Sequence, residues 1–289
     1  LDVRALRERI ESDARTGLQP FCVVASAGTV NTGAVDPLAE IAGVARDQDL
    51  WFHVDGAYGA PGVLDEKRCA LFEGLELADS ISLDPHKWLY APIDCGCVLL
   101  REPSHALTAF RTGEADYIKI YEQDEREAFA FWDYGVELTR RFRALKVWMI
   151  LRYYGARKIG EAISEDLALA KYFGERVEAA KDFELLAPVE LSICCFRYVP
   201  QAVRERLQAA DETLRDKINV GLDELNERLM YALQRGGRAY LSNATLRGRF
   251  ALRACIVNFR TTRADIDLTL RILRETGEEL LPQMNTDKK

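Results

Sequence analysis

The sequence predicts an α/β fold, a mostly parallel sheet with helices between its strands, followed by a smaller α+β domain. Three observations predict it. Short apolar runs ending in small or polar residues recur at 20–26, 51–55, 80–83 and 97–100, as in strands of a parallel sheet. Between the first two, Leu38, Ile41, Ala42 and Ala45 keep a helical period, and alternating strands and helices favour parallel pairing. From about residue 146, long helical patterns alternate with single strands, marking a second domain.

In chain order, residues 1–6 read as an amphipathic helix entered midway, with neither an initiator Met nor a signal-peptide layout. The run 20–26, Pro-Phe-Cys-Val-Val-Ala-Ser, predicts a strand buried on both faces, and a Gly-rich turn follows. Asp36-Pro37 opens the next helix, Asp as N-cap and Pro at the first position, ending near Asp47. Residues 51–55, 80–83 and 97–100 are the next strands. Residues 111–130, including a charged run at 122–127, lack a period and read as a mobile loop with a solvated face. A helix is predicted over 137–154, stopped by Gly155, and another from Lys158 into the 180s. Strands at 191–197 and 249–258 and helices at 210–234 and 263–281 complete the chain, whose Lys288-Lys289 tail reads as frayed. The domains divide as 1–145 and 146–289.

Composition narrows the function classes. The 289 residues are 48% hydrophobic and 29% charged, with a net charge of −7, and phosphate backbones demand clustered positive charge that such a chain lacks. Arg140-Arg141-Phe142-Arg143 is a basic cluster at a predicted helix start, not a nucleic-acid surface. No apolar run is long enough to span a membrane. Seven cysteines, an odd number in apolar stretches, read as reduced core residues of a cytoplasmic protein. Cys95-Gly96-Cys97 and Cys194-Cys195 lack companions at metal-binding spacing, so no metal is expected. His105 has no evident partner.

In α/β sheets ligands sit beyond the carboxyl ends of the strands, where Thr29, Asp55 and Asp84 through Lys87 fall. Hemmed by Pro85, His86 and Trp88, Lys87 reads as a partly desolvated nucleophilic amine; the alternative is an exposed, ion-paired lysine. Asp55 reads as a carboxylate able to hold a positive charge, with the small residues Gly56, Ala57, Gly59 and Ala60 leaving room for a flat ring; the alternative is a helix cap or a salt bridge. Their occurrence as a pair favours a common site.

The stretches His53-Val54-Asp55-Gly56-Ala57-Tyr58 and Asp84-Pro85-His86-Lys87-Trp88 resemble the group II decarboxylases dependent on pyridoxal 5'-phosphate (PLP), and the aromatic L-amino-acid decarboxylases most of all. The resemblance extends over Ser26-Ala27-Gly28-Thr29, Asp94-Cys95, Tyr117, Arg140 to Arg143 and Leu145-Lys146. It implies the PLP-dependent transferase fold of type I, of which this chain is the C-terminal portion, since family members begin well upstream. It implies that Lys87 carries PLP covalently and that Asp55 keeps the pyridine nitrogen protonated. Ala57 is implied to pack on the ring, Asp84 and His86 to lie near the phosphate and the lysine, and Thr29 to contact the ring hydroxyl.

Two positions depart from the family pattern. Asp84 stands where Asn is common, and an anion beside a phosphate implies an indirect contact. Val30 follows Thr29 where a second threonine is frequent, the next being Thr32. Tyr117 matches the loop tyrosine that returns a proton after carbon dioxide leaves, with Tyr121 second in line, and relatives with Phe there make aldehydes. A homodimer with a shared active site is implied, Thr139 or its neighbours reaching across. The expected reaction is decarboxylation of an aromatic L-amino acid, an acidic substrate being next. Another PLP reaction on the same fold and a catalytically silent domain are the competing readings.

Overall fold

The structure, a computed structural model, describes residues 1–110 and 130–286, with side chains to Leu281. By contacts the chain forms two compact units, Leu1–Ala25, Pro37–Ala57 and Glu73–Gly155 in the first, and Ser26–Asp36, Tyr58–Phe72 and Ala156–Lys289 in the second.

The first unit opens with α1 (Val3–Arg15). This helix is not already under way at Leu1, because Asp2 caps it, its carboxylate accepting the N–H groups of Arg4 and Ala5 at 2.9 and 3.1 Å. The four-stranded sheet runs in the order β1 (Cys22–Ser26), β2 (Trp51–Asp55), β3 (Ser80–Leu83), β4 (Cys97–Leu100). Helix α2 (Leu38–Asp47) buries Leu38, Ile41, Ala42, Val44 and Ala45, the predicted stripe extended by one residue. Asp36 does not cap it. Pro37 holds the cap position, and the Asp36 carboxylate instead accepts the Ser26 N–H at 2.8 Å.

Strands β2 and β3 are parallel, but β4 returns antiparallel to β3. The reason is the connection, since no α-helix lies between Leu83 and Cys97 to carry the chain across the sheet. The expectation of strands buried on both faces also fails at the edges. In β1 Val24 is exposed, and in β4 Val98 and Leu99 are. Helix α3 (Pro103–Phe110) sets His105 edge-on to Trp51, ring centroids 5.2 Å apart, so this histidine does have a partner.

Helix α4 (Arg143–Glu178) is interrupted at Gly155, whose φ of 75° and ψ of 158° are non-helical. Glycine alone takes that region cheaply, and the boundary between the units falls there. The helix predicted from 137 starts at Arg143, and its continuation stops at Glu178, short of the 180s.

The second unit is built on an antiparallel sheet in the order β5 (Phe183–Leu185), β6 (Ile193–Tyr198), β8 (Arg249–Cys255), β7 (Ser242–Leu246). Helices α6 (Glu212–Gly236) and α7 (Arg263–Thr286) pack with it around Phe173, Phe183, Phe196, Leu225, Leu229 and Leu270. Strands β5 and β7 and the short α5 (Gln201–Ala209) went unpredicted. All seven cysteines are free thiols. Cys194 and Cys195 are buried as expected, and burial pushes the Cys195 thiol up to about 11, but Cys69 and Cys97 are exposed rather than core residues.

Candidate functional site

The carboxyl ends of β2 and β3 stand side by side, because parallel pairing sets Asp55 opposite Ser82. Backbone bonds continue the pairing past both strands, from Gly56 N–H to Ser82 O at 3.0 Å and from Asp84 N–H to Ala57 O at 3.2 Å. Asp55, Ala57 and Asp84 are thus fixed relative to one another by main chain. Beyond them the chain winds tightly, Lys87 N–H donating to Asp84 O at 2.8 Å and Ala91 N–H to Pro85 O at 3.0 Å. Trp88 is fully buried and anchors this turn.

Asp55 is exposed at its strand end. Its Oδ1 accepts from the Ala57 N–H at 3.1 Å and from the Ser82 hydroxyl at 3.2 Å. Both bonds fall on one oxygen, which orients the carboxylate and leaves Oδ2 for a ligand. Ser82 was not singled out by sequence reasoning. Laying 51–55 against 80–83 as parallel neighbours would have found it.

Lys87 departs from the expectation of a desolvated amine. Its side chain is 42% exposed and its Nζ lies 2.7 Å from Asp84 Oδ2, because Pro85 and Trp88 turn inward while Lys87 is left outside. Exposed ion pairs are worth about 0–1 kcal/mol. The amine is therefore held in place yet easily surrendered to another partner. Asp84, the departure from the family pattern, is its counter-ion.

His86 is fixed by the next connection, its Nδ1 lying 2.6 Å from the Cys95 carbonyl oxygen. The Cys95 N–H also lies against Nδ1, at 3.2 Å, so the Cys95 backbone brackets this nitrogen with one acceptor and one donor. The neighbouring Asp94 accepts from Arg143 Nε at 3.0 Å and from Arg141 Nη2 at 3.2 Å. The hydrogen bond from Arg143 holds the Asp94 carboxyl below its usual range. Two groups that the sequence offered separately, Asp94-Cys95 and the basic cluster, thus form one tie between the β3–β4 connection and the start of α4.

Thr29 belongs to the second unit. Its hydroxyl lies 3.0 Å from that of Thr32, and its backbone closes a loop by the bond from Thr29 N–H to Ala34 O at 2.8 Å. The more distant threonine therefore folds back to meet it. Gly28, with φ of +99°, carries this loop past Gly59, where a Cβ on Gly28 would lie 2.8 Å from Gly59 Cα. Thr139 is exposed in the segment before α4. Tyr117 and Tyr121 lie outside the described residues.

The donor set fits a flat heteroaromatic cofactor bearing an aldehyde. Lys87 offers an amine for the carbonyl carbon. Asp55 offers an oriented anion with one unused oxygen for a protonated ring nitrogen, and Gly56 and Ala57 leave space beside it. Among the described residues no cluster of His, Cys, Asp and Glu suits a metal ion, and no helix is long and apolar enough to cross a membrane.

Comparison with known proteins agrees with this reading. The model of the pyridoxal-dependent decarboxylase conserved domain matches residues 1–199. The aromatic-L-amino-acid decarboxylase of Bacillus atrophaeus is 38% identical over 280 residues, 97% of this chain and 55% of the relative. The 4-hydroxyphenylacetaldehyde synthase of Rhodiola rosea is 35% identical over 96% of this chain and 52% of its own length. The crystal structure of Oryza sativa TDC with PLP and tryptamine superposes with a TM-score of 0.85 at 33% identity, covering 97% of this chain and 55% of that one. The chain spans about half the length of the curated relatives it matches.

Proposed function

This chain belongs to the pyridoxal-dependent decarboxylase family, and from that premise we propose that it serves the PLP-dependent decarboxylation of an aromatic L-amino acid to its amine and carbon dioxide. The observation that carries the reading is the pairing of an oriented carboxylate, Asp55, with an accessible lysine, Lys87, on adjoining strand ends. The likeness to an aromatic-L-amino-acid decarboxylase supports the substrate class. The division into 1–145, carrying the cofactor, and 146–289, a small α+β domain, belongs to the same proposal, as do a cytoplasmic setting and a homodimer.

Each residue has a role suited to its chemistry. When bound, PLP supplies an electron sink for the bond to the departing carboxylate. Lys87, released from Asp84, would hold the group through its aldehyde carbon. Asp55, steadied by Ser82 and the Ala57 N–H, holds a proton on the ring nitrogen. Ala57 would pack beside the ring, and His86, its Nδ1 held against the Cys95 backbone, would lie near the phosphate and the lysine. Thr29 is assigned to the ring hydroxyl and Thr139 to the partner's site. Tyr117 returns a proton to the carbon from which carbon dioxide has left.

Borohydride reduction of the protein isolated from cells, followed by peptide mapping, tests this directly. A phosphopyridoxyl adduct on Lys87, lost in Lys87→Ala, is expected; no adduct after PLP is added would return Lys87 to the role of a surface ion-pair partner. A panel of amino acids then fixes the substrate class, and amine from glutamate alone would sink the aromatic assignment.

A second reading, aldehyde synthesis, is favoured by the 35% identity to an aldehyde synthase. Tyr117 decides between them. Tyr117→Phe is expected to divert product from amine to aldehyde, and unchanged amine output would remove the tyrosine from the proton-return step.

A further inference from the structure

The second unit contains a cavity of about 330 Å³ bounded by β5, β6, α5, α6 and β8, and its lining is strongly cationic. Arg197, Arg204, Arg215 and Arg249 face it, against a single carboxylate, Glu184. In a chain of net charge −7 this is a local inversion of sign, and gathering four guanidinium groups costs electrostatic energy unless an anion joins them.

The groups inside are not fully matched by the protein. The Arg197 side chain is 0% exposed, and β5–β6 register sets it opposite Glu184. Its Nε and Nη2 both lie 2.7 Å from the same Glu184 oxygen, Oε2, while Nη1 donates to Asn219 Oδ1 at 3.0 Å. Glu184 and Asn219 thus hold the Arg197 head in a forked contact, whereas Arg204, whose Nη2 donates to the Phe183 carbonyl, keeps a buried Nε without an acceptor. A second acid, Asp223, accepts the Phe250 N–H at 3.0 Å, and burial raises its carboxyl above the usual range although Arg197 and Arg249 act to lower it. Native proteins rarely leave buried charged donors unmatched without a reason.

We propose that this cavity binds a small phosphorylated anion, a diphosphate or phosphate ester. Guanidinium groups pair bidentately with phosphoryl oxygens, and the volume sits at the lower end of the roughly 300–1,000 Å³ of small-molecule sites. Arg197, held by Glu184 and Asn219, is the fixed floor. Arg215, on the first turns of α6, and Arg249, at the start of β8, close over the anion. The site is separate from Lys87 and Asp55, so the inference does not rest on the decarboxylase reading.

The test is isothermal titration of the full-length, PLP-loaded protein with pyrophosphate, glycerol 3-phosphate as a phosphate ester, inorganic phosphate and citrate. Pyrophosphate is expected to bind at one site per chain with a submillimolar dissociation constant. Arg249→Gln and Arg215→Gln, both outside the buried core, are each expected to weaken it at least about tenfold, with circular dichroism reporting the retained fold. A phosphate ester preferred over pyrophosphate keeps the proposal and names the source. Absence of binding, binding unchanged in both variants, or citrate outcompeting pyrophosphate would each overturn it.

Discussion

Asp55 shows how much of a carboxylate's setting lies outside the residue itself. An exposed aspartate is ordinary, and what distinguishes this one is that two donors fix a single oxygen. Asp55→Asn is expected to cut kcat by about 100-fold or more, because the positive charge on the ring nitrogen loses its partner. The Lys87 adduct should still form. Ser82→Ala removes one of the two orienting bonds and is expected to lower kcat by about 3- to 10-fold with little change in KM, a loss that Ser82→Thr restores. Steady-state kinetics on the full-length enzyme checks both. A Ser82→Ala enzyme as fast as the original would show that the Ala57 N–H suffices. Lys87 and Asp55 could be proposed from the sequence because their motif is distinctive, whereas Ser82 was hidden, its place beside Asp55 being visible only once strand register is known.

At the scale of elements, the sequence told most about segments whose apolar period is strong. Strands β2, β3 and β4 and helix α2 fall where the periodicity put them, while β5 and β7 are too short or too polar to carry a period. The antiparallel return of β4, which a mostly parallel sheet allows, follows from a connection that lacks a helix. The tie from Asp94 to Arg141 and Arg143 was likewise out of reach, since it joins residues almost fifty positions apart. Its pH dependence follows from the sign of the shift. The Asp94 carboxyl is depressed in the folded protein, so the stabilisation is fully present above the ordinary aspartate range near pH 4. It is lost as pH falls through the lower folded value. Carbonyl-carbon NMR of Asp94 is expected to show a midpoint below that of an unstructured aspartate, rising to the ordinary value in Arg143→Gln. A midpoint already ordinary in the parent protein would mean that the tie does not persist in solution.

For the molecule as a whole, the proposed homodimer has a sharp consequence when its subunits differ. If Tyr117 serves the partner's lysine, a mixture of Lys87→Ala and Tyr117→Phe subunits recovers amine formation, since one site in each mixed dimer has both groups intact. Neither variant alone does so. Product analysis after co-expression checks this, and aldehyde as the only product would assign each Tyr117 to its own subunit's site. Among the described residues, the sheet of the first unit gives β4 a neighbour on one side only, and Val98 and Leu99 are exposed. Such a margin presents a row of unspent amide and carbonyl groups that will take up whatever extended segment arrives first. Self-association of this chain is therefore expected to rise with its concentration, and light scattering that falls when an added extended peptide occupies that margin would report it.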